Sequence, residues 1–139
     1  MFKLLKIDNS FLDSFIEKAN STPRLRINYD LRNSDSDTSQ RMLNALLPGT
    51  KVPIHQHSET AETVICLCGE IEEIMYDREE IVSIDGKIEV KYNETSRYLL
   101  CPEHGAYGMQ IPKGVWHTVN VIKPSVIFEA KDGAYVPSK

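Results

Sequence analysis

From Arg41 onward the chain is a succession of short apolar runs, each bounded by residues that turn the backbone. Runs of this length are too short for ordinary helices and match strands. Arg41 to Leu47, Val52 to His57, Thr63 to Leu67, Ile71 to Tyr76, Ile81 to Ile84, Lys87 to Tyr92, Tyr98 to Cys101, Tyr107 to Ile111, Val115 to Val121 and Val126 to Ala130 all read this way. Between Ile84 and Lys87 stands Asp85-Gly86, a two-residue hairpin signal whose positions both need positive φ. In Lys87-Ile88-Glu89-Val90-Lys91 polar and apolar side chains alternate, as on a strand with one wet face. There is no βαβ alternation and no glycine-rich phosphate loop, so the pattern predicts an all-β sandwich or barrel.

The first quarter has a different character. Met1 to Ile7 is apolar-rich and short, and it predicts an edge strand. Asp8, Asn9 or Ser10 then provides a helix cap, and Phe11, Leu12, Phe15, Ile16 and Ala19 follow at helical spacing up to a stop before Pro23. Asn33 to Ser39 is polar and reads as a loop. Residues 1–39 are therefore expected to pack as a strand, a helix and a loop on a barrel formed by residues 40–139.

Composition narrows the function classes. Sixteen basic against twenty acidic residues give a net charge of -4, and the basic residues form no run. Binding to nucleic acid needs a basic face and is not expected. No segment approaches the roughly 20 apolar residues of a membrane span, and Met1 to Ile7 has no signal-peptide features. The expectation is a cytoplasmic protein with no membrane partner. Cys66, Cys68 and Cys101 are an odd number without CxxC spacing, and read as buried free thiols.

The chemistry concentrates between Gly49 and Gly69. His55 and His57 are two apart on a predicted strand, so both imidazoles leave one face, about 6.5 Å apart along the chain. Side chains at that spacing can converge on one ion that bonds nitrogen at about 2.0–2.1 Å. Glu62 follows a polar stretch long enough to reverse the chain. Val115-Trp116-His117-Thr118-Val119, after the turn Pro112-Lys113-Gly114, carries one more histidine, and a closed barrel can bring it beside the first strand. Each of these residues alone is an ordinary surface or core residue; the combination carries the metal reading.

The segment resembles the first motif of the cupin superfamily: glycine, five residues, His-x-His, three or four residues, Glu, six residues, glycine. Gly49, His55, His57, Glu62 and Gly69 fit it. Pro112, Gly114 and His117 fit the second motif, glycine, five residues, Pro-x-Gly, two residues, His, three residues, Asn. Its terminal positions depart, with Gly105 and Asn120 each one residue early. Over most of the chain, Gln40 to Leu46, the Pro-x-His-x-His from Pro53, Glu62-Thr63-Val64 and Gly114 to Thr118 are similar to WbuC-type cupin metalloproteins. Some of these lie in bacterial surface-polysaccharide gene clusters. The resemblance implies a double-stranded β-helix, or jelly-roll, barrel that holds one divalent transition metal through His55, His57, Glu62 and His117. It also implies a homodimer.

Three imidazoles and a carboxylate suit Zn, Fe, Mn, Ni or Co without choosing among them. Gln40, Arg41, Asn44, Tyr107 and Trp116 lie near the predicted rims and are the candidates for a substrate pocket, with Arg41 suited to an anionic group. Cys66 and Cys68 share strand parity with Glu62, and packing is the expected role of both. Two functions follow. One is a metalloenzyme acting on a small polar or sugar-related molecule, and the other is a non-catalytic module whose metal is structural or anchors a small ligand. No unligated carboxylate or histidine stands out as a general acid or base, which counts against the enzyme.

Overall fold

The computed structural model describes residues 4–137. One helix, α1 (Asn9–Asn20), precedes β1 (Arg26–Asp30), β2 (Ser39–Leu46), β3 (Glu62–Val82), β4 (Ile88–Leu100), β5 (Gly108–Ile111) and β6 (Trp116–Asp132). The strands pair antiparallel in the order β1-β2-β6-β3-β4, with β5 on β3. Residues 62–65 of β3 lie between β5 and β6, whereas residues 71–76 lie between β4 and β6. The two long strands β3 and β6 thus run through both ends of a jelly-roll β fold.

Several predicted strands are segments of these longer ones. Thr63 to Leu67 and Ile71 to Tyr76 both belong to β3, although Gly69 between them has the composition of a turn. Gly69 instead sits at φ +91°, where the register with β6 shifts. A glycine bulge of this kind bends a strand without ending it. In the same way Val115 to Val121 and Val126 to Ala130 are joined in β6. Val52 to His57 forms no regular strand, because Pro53 has no N–H for a ladder; its one bridge is His55 to His117.

The Asp85-Gly86 hairpin is present with a different turn. Only Gly86, at φ +83°, is left-handed there; among the described residues Leu25 is the one non-glycine residue with positive φ. Gly86 N donates to Ser83 O at 2.9 Å and Ser83 N to Lys87 O at 2.8 Å, which closes a three-residue loop with glycine in its last position. The Ser83 hydroxyl donates to the Asp85 carboxylate, which supports Asp85 without positive φ.

Helix α1 forms where its spacing places it, capped by Asp8 Oδ1, which accepts from Phe11 N at 2.9 Å. Residues 4–7 form no strand, and the rest of the expected edge strand lies outside the described residues. The edge is β1, which polar Arg26, Asn28 and Asp30 had concealed from an apolar-run reading. Two cores flank β2. Leu43, Ala45 and Leu47 face α1 through Leu12, Phe15 and Ala19. Leu46 faces the other way, into a core of Val64, Cys66, Ile71, Met75, Leu100, Ile111, Val121 and Ile127. Residues of even number on β2 therefore look into the barrel, which decides which of them reach the site.

Gly69 also permits a close crossing. A β-carbon there would collide with Ser125 Oγ and the Pro124 carbonyl. Ser125 is buried, and its hydroxyl accepts from Glu70 N at 2.9 Å. Gly69→Ala should lower stability by about 2–4 kcal/mol through backbone strain and overpacking. Urea unfolding with an unchanged m-value measures this.

Candidate metal centre

His55 and His117 are placed by the backbone. His55 N donates to His117 O at 2.9 Å, and His117 N donates to His55 O at 2.8 Å. Residues that exchange both hydrogen bonds project their side chains to one face, and the two rings stand with centroids 4.3 Å apart. His57, two residues on, keeps that face, its centroid 5.0 Å from His55 and 5.6 Å from His117. The Gly114 N–H donates to His57 O at 2.9 Å and ties the following turn to it. Glu62 opens β3, and its Oε2 lies 2.9 Å from His57 Nε2 and 3.6 Å from His117 Nε2.

Each of the four offers one ligand atom, all within 4.8 Å of one another. Opposed donors about 2.1 Å from an ion stand about 4.2 Å apart, so the cluster matches the coordination shell of one ion after a small contraction. Two of the tautomers suit it. His55 Nδ1 is 2.9 Å from Pro53 O and His117 Nδ1 is 2.9 Å from Val115 O. A carbonyl only accepts, so these bonds place the proton on Nδ1 and leave Nε2 of the neutral ring with its lone pair toward the cluster.

Glu62 Oε2 is buried and no donor meets it with hydrogen-bond geometry, despite the short separation from His57. A buried carboxylate oxygen without a partner is costly in a closed protein interior. A cation among these four side chains would supply what it lacks. Burial raises the Glu62 carboxyl, but His117, His57 and Lys131 together outweigh it and hold the group below the usual carboxylate range. Burial lowers His117, and Glu62 more than restores it. His55 has no such support; burial, then His117, push it down to about 4. Burial pushes the Cys66 thiol up to about 12, so Cys66 is packing, as expected, and no thiolate approaches the cluster.

The cluster opens on a cavity of about 450 Å³. Of the candidate pocket residues, Gln40 and Asn44 line it, both even-numbered on β2. Arg41, of the opposite parity, lies outside the lining and donates to Ser39 O, Leu31 O and Asp37 Oδ2; the suggested anion contact has no support in this position. Trp116 faces away from the neighbouring His117, with Tyr92 5.5 Å from its ring and the Arg78 guanidinium 5.5 Å over it. Tyr107 is 61% exposed on the edge that leads into β5. Neither of these two reaches the cavity wall.

Other residues do, and the sequence reading passed them over. Asn28 Nδ2 donates to Asn44 Oδ1 at 3.3 Å, Asn44 Nδ2 to Glu129 Oε1 at 3.2 Å, and Lys131 Nζ lies 3.6 Å from Glu129 Oε2. This polar row crosses β1, β2 and β6 along the cavity wall. Gln40 Nε2 donates to Gly133 O and Ala134 O at 3.0 and 3.2 Å, holding the C-terminal segment with Tyr135 over the rim. Glu73 also lines the cavity, 3% exposed. Burial above all, then Glu62 and Glu129, push its carboxyl well above the usual range. Burial and Glu62 likewise raise Glu129, to about 7, against Lys131 and Asn44. Unligated carboxyls of the kind the sequence did not reveal are therefore present. The available signal was parity: Glu73 falls in the inward row of Ile71 and Met75.

Fold and cluster together define a cupin-type β-barrel with a potential metal site. Within that class the chain belongs to the family described as Domain of unknown function (DUF6016), whose model matches residues 7–90. The match spans His55, His57 and Glu62 but stops short of His117. Among solved structures the chain is similar to an oxalate oxidase in complex with the substrate analogue glycolate, with 15% identity and a TM-score of 0.56 over 86% of this chain and 56% of that one. It is similar to the Bacillus subtilis oxalate decarboxylase with Mn(II) centres, with 17% identity and a TM-score of 0.52 over 82% and 27% of the two chains. A third likeness is to CapF with the inhibitor 3-isopropenyl-tropolone, with 15% identity and a TM-score of 0.50 over 79% and 29%. These likenesses show the fold, and the chain spans about half the length of the oxalate oxidase chain. No curated protein matches it.

The lowered His55 has a consequence for the metal-free protein. Its folded value lies below the ordinary 6.5, so on acidification the unfolded chain takes up the proton first. Stability is then lost as pH falls from about 6.5 to about 4. His55→Gln should lose less over that interval, measured by denaturant unfolding of the metal-free proteins across the range. An equal loss in both proteins would contradict the assignment.

Proposed function

We propose that the protein holds one divalent transition metal through His55, His57, Glu62 and His117 and is a metalloenzyme acting on a small polar or sugar-related molecule. The observation that carries this reading is the buried, unpartnered Glu62 Oε2 among three imidazoles at the wall of a large cavity. A divalent ion at such a site supplies Lewis-acid polarisation of a substrate oxygen. The chain's own residues do the rest. Asn28, Asn44, Glu129 and Lys131 offer hydrogen bonds of both senses to a polar ligand, and Gln40 fixes the C-terminal segment at the rim.

The donor set suits Zn, Fe, Mn, Ni or Co, and Mn(II) is the metal named for the oxalate decarboxylase neighbour. A non-catalytic role, with the metal structural or anchoring a ligand, fits a closed site better than this one, which faces open space. The resemblance to WbuC-type cupins, some of which lie in bacterial surface-polysaccharide gene clusters, supports a sugar-related molecule in this reading and names no substrate. A cytoplasmic homodimer belongs to the same reading. No described helix is long and apolar enough to cross a membrane. The exposed Val82, Ile88 and Val90 on the ribbon of β3 and β4 offer apolar surface for a second copy to cover.

The test is elemental analysis of protein purified without a metal-affinity tag. Wild type should carry about one transition-metal ion per chain, as a single four-ligand site requires. His55→Ala should carry well under half of that. Equal metal content in the two proteins would overturn the proposal.

A further inference from the structure

Glu73 is placed as no structural glutamate needs to be. It lies on β3 in the inward row with Ile71 and Met75, its cross-strand partners being Val119 on β6 and Tyr98 on β4. Its neighbours Ile71, Met75 and Leu100 are buried core. At 3% exposure its side chain is out of bulk water, yet it lines the cavity shared with the histidine cluster. Among the described residues no hydrogen bond or ion pair is found at its carboxyl, whose oxygens are not fully enclosed and border the cavity. Of the cations that line the cavity, Lys131 pairs with Glu129, Arg32 pairs with Asp30 and Arg26 donates to Lys51 O.

A buried carboxyl with no cation and no donor survives in one form, the neutral acid, because the charged form would carry an unrecovered desolvation cost. Of the four other carboxyls that line the cavity, Asp30, Glu59, Glu62 and Glu129, the charges of Glu62 and Glu129 act in the same direction. A divalent metal at the cluster would more than offset Glu62 and favour the ionised form, against which burial, the largest cause, still acts. A neutral acid presents an O–H, and at the cavity wall that O–H can be offered to a ligand.

We propose that Glu73 is a ligand-contacting proton donor of this cavity, selecting a small molecule that brings an acceptor oxygen to it and offers another oxygen to the metal. The class is small compounds with at least two oxygens, such as hydroxycarbonyl compounds or hydroxy acids, and the donated proton compensates charge on the oxygen that meets Glu73. This rests on the metal reading above, and it adds an acid that the sequence did not single out. In the same row as the buried Ile71 and Met75 a leucine would avoid the desolvation cost that the Glu73 acid carries at the cavity wall.

The experiment uses zinc-loaded full-length protein and acetohydroxamate, a small probe with two adjacent oxygens, followed by calorimetric titration. Glu73→Gln keeps an N–H donor and should bind the probe within about threefold of wild type, whereas Glu73→Leu should bind about tenfold more weakly, the value of one hydrogen bond. Thermal melting should show Glu73→Leu folded and at least as stable as wild type. Infrared difference spectra between wild type and Glu73→Gln near neutral pH should show the carbonyl band of a protonated carboxyl present only in wild type. Probe affinity equal in Glu73→Leu and wild type, absence of probe binding to the zinc-loaded wild type, or absence of the protonated-carboxyl band would each overturn the inference. Failure of wild type to take up zinc would instead overturn the metal reading, and the infrared band would still decide the state of Glu73.

Discussion

The site depends on one pair of backbone hydrogen bonds. His55 and His117 lie 62 positions apart in the chain, and they exchange N–H and C=O groups at 2.9 and 2.8 Å. That exchange fixes which face each imidazole takes and brings the rings to 4.3 Å. A change of one residue in the pairing would turn His117 outward and Trp116 inward, because side chains alternate along a strand. Everything chemical in the cavity follows from this register. Thr118 reinforces it, donating to Val52 O at 2.6 Å.

Around that pair the barrel divides its polar and apolar residues by depth. The core of Val64, Cys66, Ile71, Leu100 and Val121 fills one end. The other end holds the histidines, four glutamates, an aspartate, a lysine, two arginines and two asparagines around one cavity. In such surroundings electrostatic interactions are strong and unpaired groups are costly. Glu62 shows the first effect, held ionised by its histidine neighbours, and Glu73 shows the second, pushed toward its neutral form. Two carboxyls on the same strand are thus driven apart in proton affinity by their surroundings. That separation is the usual preparation for one group to hold a cation and another to hold a proton.

Much of this was legible in the sequence where a motif or a period carried it. The His55, His57, Glu62 and Gly69 spacing pointed to the cluster, and the apolar spacing from Phe11 to Ala19 gave α1. The misreadings have physical reasons. Gly69 and Pro124 have turn chemistry, yet each sits inside a long strand because a bulge absorbs it. β1 alternates polar residues with Ile27 and Tyr29 because one of its faces lines a polar cavity, so no apolar run marks it. Arg41 was grouped with Gln40 and Asn44 by nearness along the chain, when period-two parity places it on the opposite face. Glu73 was overlooked because one glutamate among Glu70, Glu72 and Glu73 is unremarkable until the inward row is known.

The most direct measurement of the central claim is anomalous diffraction from crystals of the zinc-loaded protein at the zinc edge. The account predicts one strong peak per chain, about 2.0–2.2 Å from Nε2 of His55, His57 and His117 and from a Glu62 carboxylate oxygen. A peak bound elsewhere, with these four side chains directed to separate surroundings, would contradict it.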